Sequence, residues 1–158
     1  MSGIGEWCFM AAELLKSKFR CFNDFNSSEM DAIMEFCADV HFRANEILWT
    51  EGLEENYAAF ILEGKIGIKK QTEFGGKPVV VGIYTAGSVV GELCLLTDRP
   101  RTVSAFALET TRVIALHNNR FEELIQKYPL IGLRLLRHIF LCTSQRLTKS
   151  YERITSMF

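Results

Sequence analysis

The chain has 158 residues, 48% of them hydrophobic and 23% charged, with 18 basic and 19 acidic side chains. That is enough apolar material for one core without metal or disulfide staples, and too little chain for two substantial domains, so residues 1–158 are read as a single domain. The net charge of −1 excludes a strongly basic nucleic-acid binder and an acidic disordered chain, although residues 80–158 carry 10 basic against 6 acidic residues and suit an anionic partner better than the first half.

Residues 1–40 read as helical. Leu14, Leu15, Phe19 and Phe22 form an apolar stripe that Asn26-Ser27-Ser28 interrupts. Ser28 followed by Asp31 reads as a new helix start, the hydroxyl capping free N–H groups, and Met30, Ile33, Met34 and Cys37 then recur at helical spacing.

From Val40 to Leu116 the pattern changes to short β-rich runs: Glu46–Trp49, Ala59–Leu62, Ile66–Lys69, Val79–Tyr84, Val103–Ala107 and Val113–Ala115. Gly52, Gly64, Gly75-Gly76 and Gly87 punctuate them, and Glu73–Lys77 reads as a hairpin tip. Residues 41–116 are therefore expected to form an antiparallel β-roll, jelly-roll-like, in an α+β chain. Helix returns over 118–158. Asn118 or Asn119 is expected to cap a short helix through Tyr128, and Pro129 suits the first turn of the next. In that last helix Leu133, Leu136, Phe140, Leu147, Tyr151, Ile154 and Phe158 recur three and four residues apart. Such a seam fits packing on the chain's own β-core or on a second copy as a homodimer.

Cys8, Cys21, Cys37, Cys94 and Cys142 are scattered without C-x-x-C spacing, which fits reduced, mostly buried thiols in a cytoplasmic protein and argues against structural zinc. The longest uncharged run, Pro78–Gly91, contains three glycines and is too short for a membrane span. His41, His117 and His138 are dispersed, so neither a cupin-like metal site nor a nucleophile–histidine pair is suggested, and the chain is expected not to be an enzyme. Arg134, Arg137, Arg146, Lys149 and Arg153 read as a solvated helix face, and no DNA-binding unit is expected after the last helix.

The informative segment is residues 90–104, Val90-Gly91-Glu92-Leu93-Cys94-Leu95-Leu96-Thr97-Asp98-Arg99-Pro100-Arg101-Thr102-Val103-Ser104. Its first part fits one helical turn set between strands. Such a turn leaves free N–H groups at its start, and a glycine there lets an anion approach the backbone. Arg101, ten residues after Gly91, can bring a permanent charge with paired donors to the same anion, and Thr102 can add a hydroxyl. Glu92 repels phosphate but suits a sugar hydroxyl and a neighbouring cation.

The segment resembles the phosphate-binding cassette of the cyclic nucleotide-binding domain family. It matches at Gly91, Glu92, Leu93, Cys94, Leu95, Leu96, Arg101 and Thr102, and departs at Val90, where the family has a packing Phe. The turns at Gly52 and Gly64, Ala86-Gly87-Ser88, and Phe121–Pro129 extend the likeness over nearly the whole chain, with Asn45-Glu46 replacing the family's Gly-Glu. The wording around Gly91–Thr97 and Arg101-Thr102 is especially similar to that of hyperpolarisation-activated cation channels. The resemblance implies a double-stranded β-helix flanked by N-terminal helices and C-terminal helices of the B/C lid type. It implies that Arg101 pairs with the cyclic phosphate, that Glu92 accepts from the ribose 2′-hydroxyl, and that backbone N–H groups around Cys94 and Thr102 reach phosphate oxygens. It further implies that Val81 and Ile83 wall the purine, that Val103 touches base or sugar, and that the last helix supplies a lid residue. Cys142, Gln145, Arg146 and Lys149 are the lid candidates, Arg146 first because a guanidinium stacks on a purine. The expected ligand is cAMP, with cGMP as runner-up, acting on an effector protein; the competing reading is a ligand-free protein-interaction module with the same fold.

Overall fold

The structure, a computed structural model, describes residues 3–73 and 75–157, and side chains from Phe9 onward, so Cys8 as a thiol and Phe158 lie outside the described residues. Helix α1 (Gly3–Lys18) leads through a 3-10 turn (Arg20–Asp24) into α2 (Ser27–Met34). Eight strands follow among the described residues: β1 (Cys37–Phe42), β2 (Ile47–Trp49), β3 (Tyr57–Glu63), β4 (Lys65–Lys70), β5 (Val79–Thr85), β6 (Val89–Val90), β7 (Ser104–Ala107) and β8 (Thr111–His117). Helices α3 (Asn118–Lys127) and α4 (Pro129–Thr155) complete the order. The strands form two antiparallel four-stranded sheets, β1-β8-β3-β6 and β2-β7-β4-β5. The α+β class and the antiparallel roll flanked by helices are as the sequence indicates.

Strand β3 holds the molecule together because both of its faces are buried. Ala58, Phe60 and Leu62 face a core shared with the helices, while Ala59 and Ile61 face the core between the sheets. A strand buried on two sides loses polar alternation, which is why Ala58–Leu62 is an unbroken apolar run. Phe60 packs edge-on against Phe19 and Phe22, with centroids 5.6 and 5.8 Å apart, and so fixes the N-terminal helices on the sheet. Asp39 accepts a paired hydrogen bond from Arg112 across β1 and β8.

Several local readings are corrected. The cap of α2 is Asn26, not Ser28: Asn26 Oδ1 accepts from Glu29 N and Glu29 Oε2 accepts from Asn26 N, both at 2.9 Å. This reciprocal box satisfies two helix-end donors where a lone Ser28 hydroxyl would satisfy one. Cys37 opens β1, because pairing with Leu116 outweighs its helical spacing from Met30. Val103 precedes β7, and Glu46 precedes β2. The short helix begins at Asn118 with His117 as N-cap and no side-chain cap. Pro129 does open α4. The Glu73–Lys77 turn joins β4 to β5, with Gly75 at φ +67° and Phe74 outside the described residues.

Of the described residues of the seam expected on α4, Leu136 alone packs, partly buried, against the core. Ile131, Leu135 and Ile139 enter the core, whereas Leu133, Phe140, Leu147, Tyr151 and Ile154 are exposed. The first half of α4 is fixed on the N-terminal segment: Arg134 pairs with Glu29 at 2.6 Å, and His138 lies 3.6 Å from Asp24. Beyond Ile139 the helix has no fully buried residue. Among the described residues no helix is long and apolar enough to cross a membrane.

Candidate functional site

Strand β6 ends at Val90, and Gly91, with a φ of +73°, turns the chain into a 3-10 turn over Glu92–Leu95. Glycine is required there twice over. The left-handed backbone disfavours other residues, and a Cβ would stand 2.5 Å from Arg101 Nη1 and 2.8 Å from the Trp49 ring. Cys94 and Leu95 bury themselves, leaving Leu93 and Leu96 exposed. Asn118, expected as a helix cap, instead donates from Nδ2 to the Cys94 carbonyl at 2.6 Å and ties this turn to α3.

The return segment is clipped to the β2–β3 loop: Arg101 N donates to Leu53 O at 3.0 Å, and Gly52 N donates to Arg101 O at 2.8 Å. The Arg101 side chain is 8% exposed. Nη1 donates to Gly91 O at 3.2 Å, Nη2 donates to Tyr57 O, and the guanidinium lies 3.9 Å from the Trp49 ring centroid. Its Nε has no acceptor within the protein. Burial pulls the Arg101 pKa below its ordinary value, opposed by nearby Cys94 and Tyr57; an arginine nonetheless keeps its proton. The Cys94 thiol is pushed up to about 11, chiefly by burial, with Arg101 opposing, so it is neutral.

Helix α4 reaches over this turn. Thr143 Oγ1 donates to Glu92 Oε1 at 3.0 Å, and Arg146 Nη1 donates to the same oxygen at 3.4 Å. Arg146 Nη2 donates to Val89 O, and the guanidinium sits 4.7 Å from the Tyr84 ring centroid. One carboxylate of the turn thus holds two side chains of the helix, one turn apart.

Between these parts lies a cavity of about 320 Å³. Val81, Gly91, Glu92, Leu93, Cys94, Arg101, Thr102, Val103 and Arg146 all line it. Ile83 does not; it lines a neighbouring groove between β5 and α4, as do Cys142, Gln145 and Lys149. Of the four lid candidates Arg146 alone lines both spaces. Val81 lines both the cavity and the groove, which it shares with Ile83, and it sits at a bulge. The β4–β5 register slips at Ile68/Lys69, so Gly82 pairs with Ile68 and Val80 with Lys69, leaving Val81 between. Tyr84 therefore joins Val81 on the cavity wall. Tyr84 and Trp49 escaped sequence reasoning because they arrive from β5 and β2 through sheet pairing; Trp49, between Leu48 and the Glu51-Gly52 turn, was the available signal. Arg99, Arg101 and Arg146 against Glu92 leave the cavity wall positive, which suits an anion bearing a hydroxyl or two.

The sequence model of the cyclic nucleotide-binding domain family matches residues 39–128, a stretch that contains the turn, Arg101 and most of the cavity wall. A lysophospholipase, NTE1, of Phaeosphaeria nodorum is 29% identical over 100 residues, 63% of this chain; the chain spans only 6% of that relative's length. A cyclic nucleotide-binding domain from Methylobacillus flagellatus superposes with a TM-score of 0.82 at 21% identity, over 94% of this chain and 86% of the other. The regulatory domain of Toxoplasma gondii PKA, crystallised with cAMP, superposes with a TM-score of 0.67 at 22% identity, over 82% of this chain and 48% of the other. With a family match over more than half of its residues, on the roll and turn that form the cavity, the chain belongs to the cyclic nucleotide-binding domain family.

Proposed function

We propose that residues 1–158 act as one regulatory sensor that binds a cyclic purine mononucleotide, cAMP in preference to cGMP, in the cavity between the Gly91–Leu96 turn and α4. The observation that carries this reading is the meeting of Gly91, Glu92, Arg101, Thr102 and Arg146 in one positive cavity. The orphaned Arg101 Nε supports it, since a buried donor of a charged group needs an acceptor that the protein does not supply. A neighbour crystallised with cAMP points the same way.

In this reading the cyclic phosphate takes the Arg101 guanidinium, the Thr102 hydroxyl and the N–H groups around Cys94 and Thr102. The ribose 2′-hydroxyl donates to Glu92. Val81 and Val103 border the purine, and Arg146 stacks on it. Glu92 receives Thr143 and Arg146 on Oε1, which leaves Oε2 for the sugar hydroxyl, so a bound ribose engages the same carboxylate that holds the second half of α4. The ligand shifts the helix only by its difference in affinity for the two arrangements. The role is regulatory rather than catalytic, in the cytoplasm. The exposed Leu133, Phe140, Leu147, Tyr151 and Ile154 face is offered to an effector protein or to a second copy of the chain.

Hydrogen exchange with and without cAMP tests the mechanism. Protection is expected to change in the cassette and in residues 140–155 together. A change confined to the cassette would reject α4 as the lid, and no change anywhere would leave the fold as an interaction module.

A further inference from the structure

We infer that Cys21 and Cys142 form a peroxide-sensitive dithiol whose oxidation to a disulfide staples α4 to the N-terminal segment. Cys21 lies in the 3-10 turn between α1 and α2, and Cys142 lies on α4, 121 positions later in the chain. Both line one tight cavity walled by Phe19, Phe22, Phe60 and Leu135. The neighbouring Cys21 holds the Cys142 thiol down at about 7, against burial and with help from Arg146, while Cys142 and burial push the Cys21 thiol up. One member is thus a ready nucleophile at neutral pH and the other a protonated resolving thiol.

Access matches these roles. Cys142 also lines the open groove of about 420 Å³ between β5 and α4, which does not include Cys21. A hydroperoxide reaches Cys142 first. The Cys142 thiolate attacks the peroxide oxygen; an S–O bond forms, the O–O bond breaks, and the departing hydroxide takes a proton to leave as water. The Cys21 sulfur then displaces the sulfenic hydroxyl, its own proton leaving with that hydroxyl as a second water. Two thiols and one hydrogen peroxide give one disulfide and two waters.

The position makes the bond consequential. Cys142 sits where α4 leaves the core: Ile139, one turn before it, is buried, and Thr143 and Arg146, just after it, hold Glu92. A covalent link there pins the helix half that reaches over the cavity. The site stands whether or not a nucleotide occupies that cavity, so it goes beyond the function proposed above.

The test treats the full chain, without nucleotide, with hydrogen peroxide and maps thiols by mass spectrometry. A Cys21–Cys142 linked peptide, reversed by dithiothreitol, is expected, with Cys94 still reduced. Before oxidation, iodoacetamide should label Cys142 at least about tenfold faster than Cys94 at neutral pH. Cys21→Ser should trap Cys142 as a dimedone-reactive sulfenic acid, and oxidised wild type should gain exchange protection over residues 140–150. Absence of the linked peptide from the oxidised folded protein, or equal labelling of Cys142 and Cys94, would overturn the inference.

Discussion

Gly91→Ala is the sharpest probe of the cassette's architecture. An alanine held at φ +73° costs about 1–2 kcal/mol of backbone strain. Its Cβ would also stand 2.5 Å from Arg101 Nη1 and 2.8 Å from the Trp49 ring. An arginine tip usually swings aside, but this one is held by Gly91 O and Tyr57 O and stacked on a tryptophan that is 1% exposed. Displacing the pair adds about 1–3 kcal/mol, as overpacking does in other cores. At roughly 2–4 °C per kcal/mol for a chain of this size, the melting temperature should fall by about 4–20 °C. Gly52→Ala supplies the control. Its φ is +84°, yet nothing lies within 4 Å of the added Cβ, so it should show the strain alone. Thermal melts of both variants by circular dichroism make the comparison. Equal losses for the two would refute the close packing of Arg101 and Trp49 against Gly91.

Three further outcomes are expected. Asn118→Ala removes the donor to the Cys94 carbonyl and should cost about 1 kcal/mol; it should also speed alkylation of Cys94, and an unchanged rate would mean the turn holds itself. Asp39→Ala leaves Arg112 without its paired acceptor on a strand pair where the two side chains are 15% and 21% exposed, and urea unfolding should register a loss of about 1–3 kcal/mol; a loss below about 0.5 kcal/mol would place the pair in the class of solvent-screened ion pairs. Arg146→Ala frees one donor from Glu92 and the contact with Tyr84, and should raise exchange in the second half of α4 while moving the melting temperature by only a few degrees; unaltered exchange would mean Arg146 does not hold that half.

How much of this was legible in the sequence differs from element to element. The cassette was legible because its geometry is local: a left-handed glycine, one turn, and an arginine ten residues on are encoded within residues 91–101. Six of the strands were legible from β-rich runs between glycines. β6 was not, since two valines make no pattern, and the start of β1 at Cys37 was not, since its helical spacing from Met30 competes with a pairing partner 79 positions away. Helix α4 carries two apolar stripes. Periodicity favoured Leu133–Phe140–Leu147, but the core takes Ile131, Leu135 and Ile139, and tertiary packing decides between them. Trp49 and Tyr84 stayed hidden for the same reason: sheet pairing and a bulge bring them to the cavity.

The most direct measurement is calorimetric titration of the purified chain with cAMP and cGMP, alongside Arg101→Ala checked for folding by its thermal melt. The account predicts saturable binding at one site, tighter for cAMP, that disappears when the folded variant loses the guanidinium. Absence of heat with both nucleotides, together with a melting temperature that neither shifts, would contradict it.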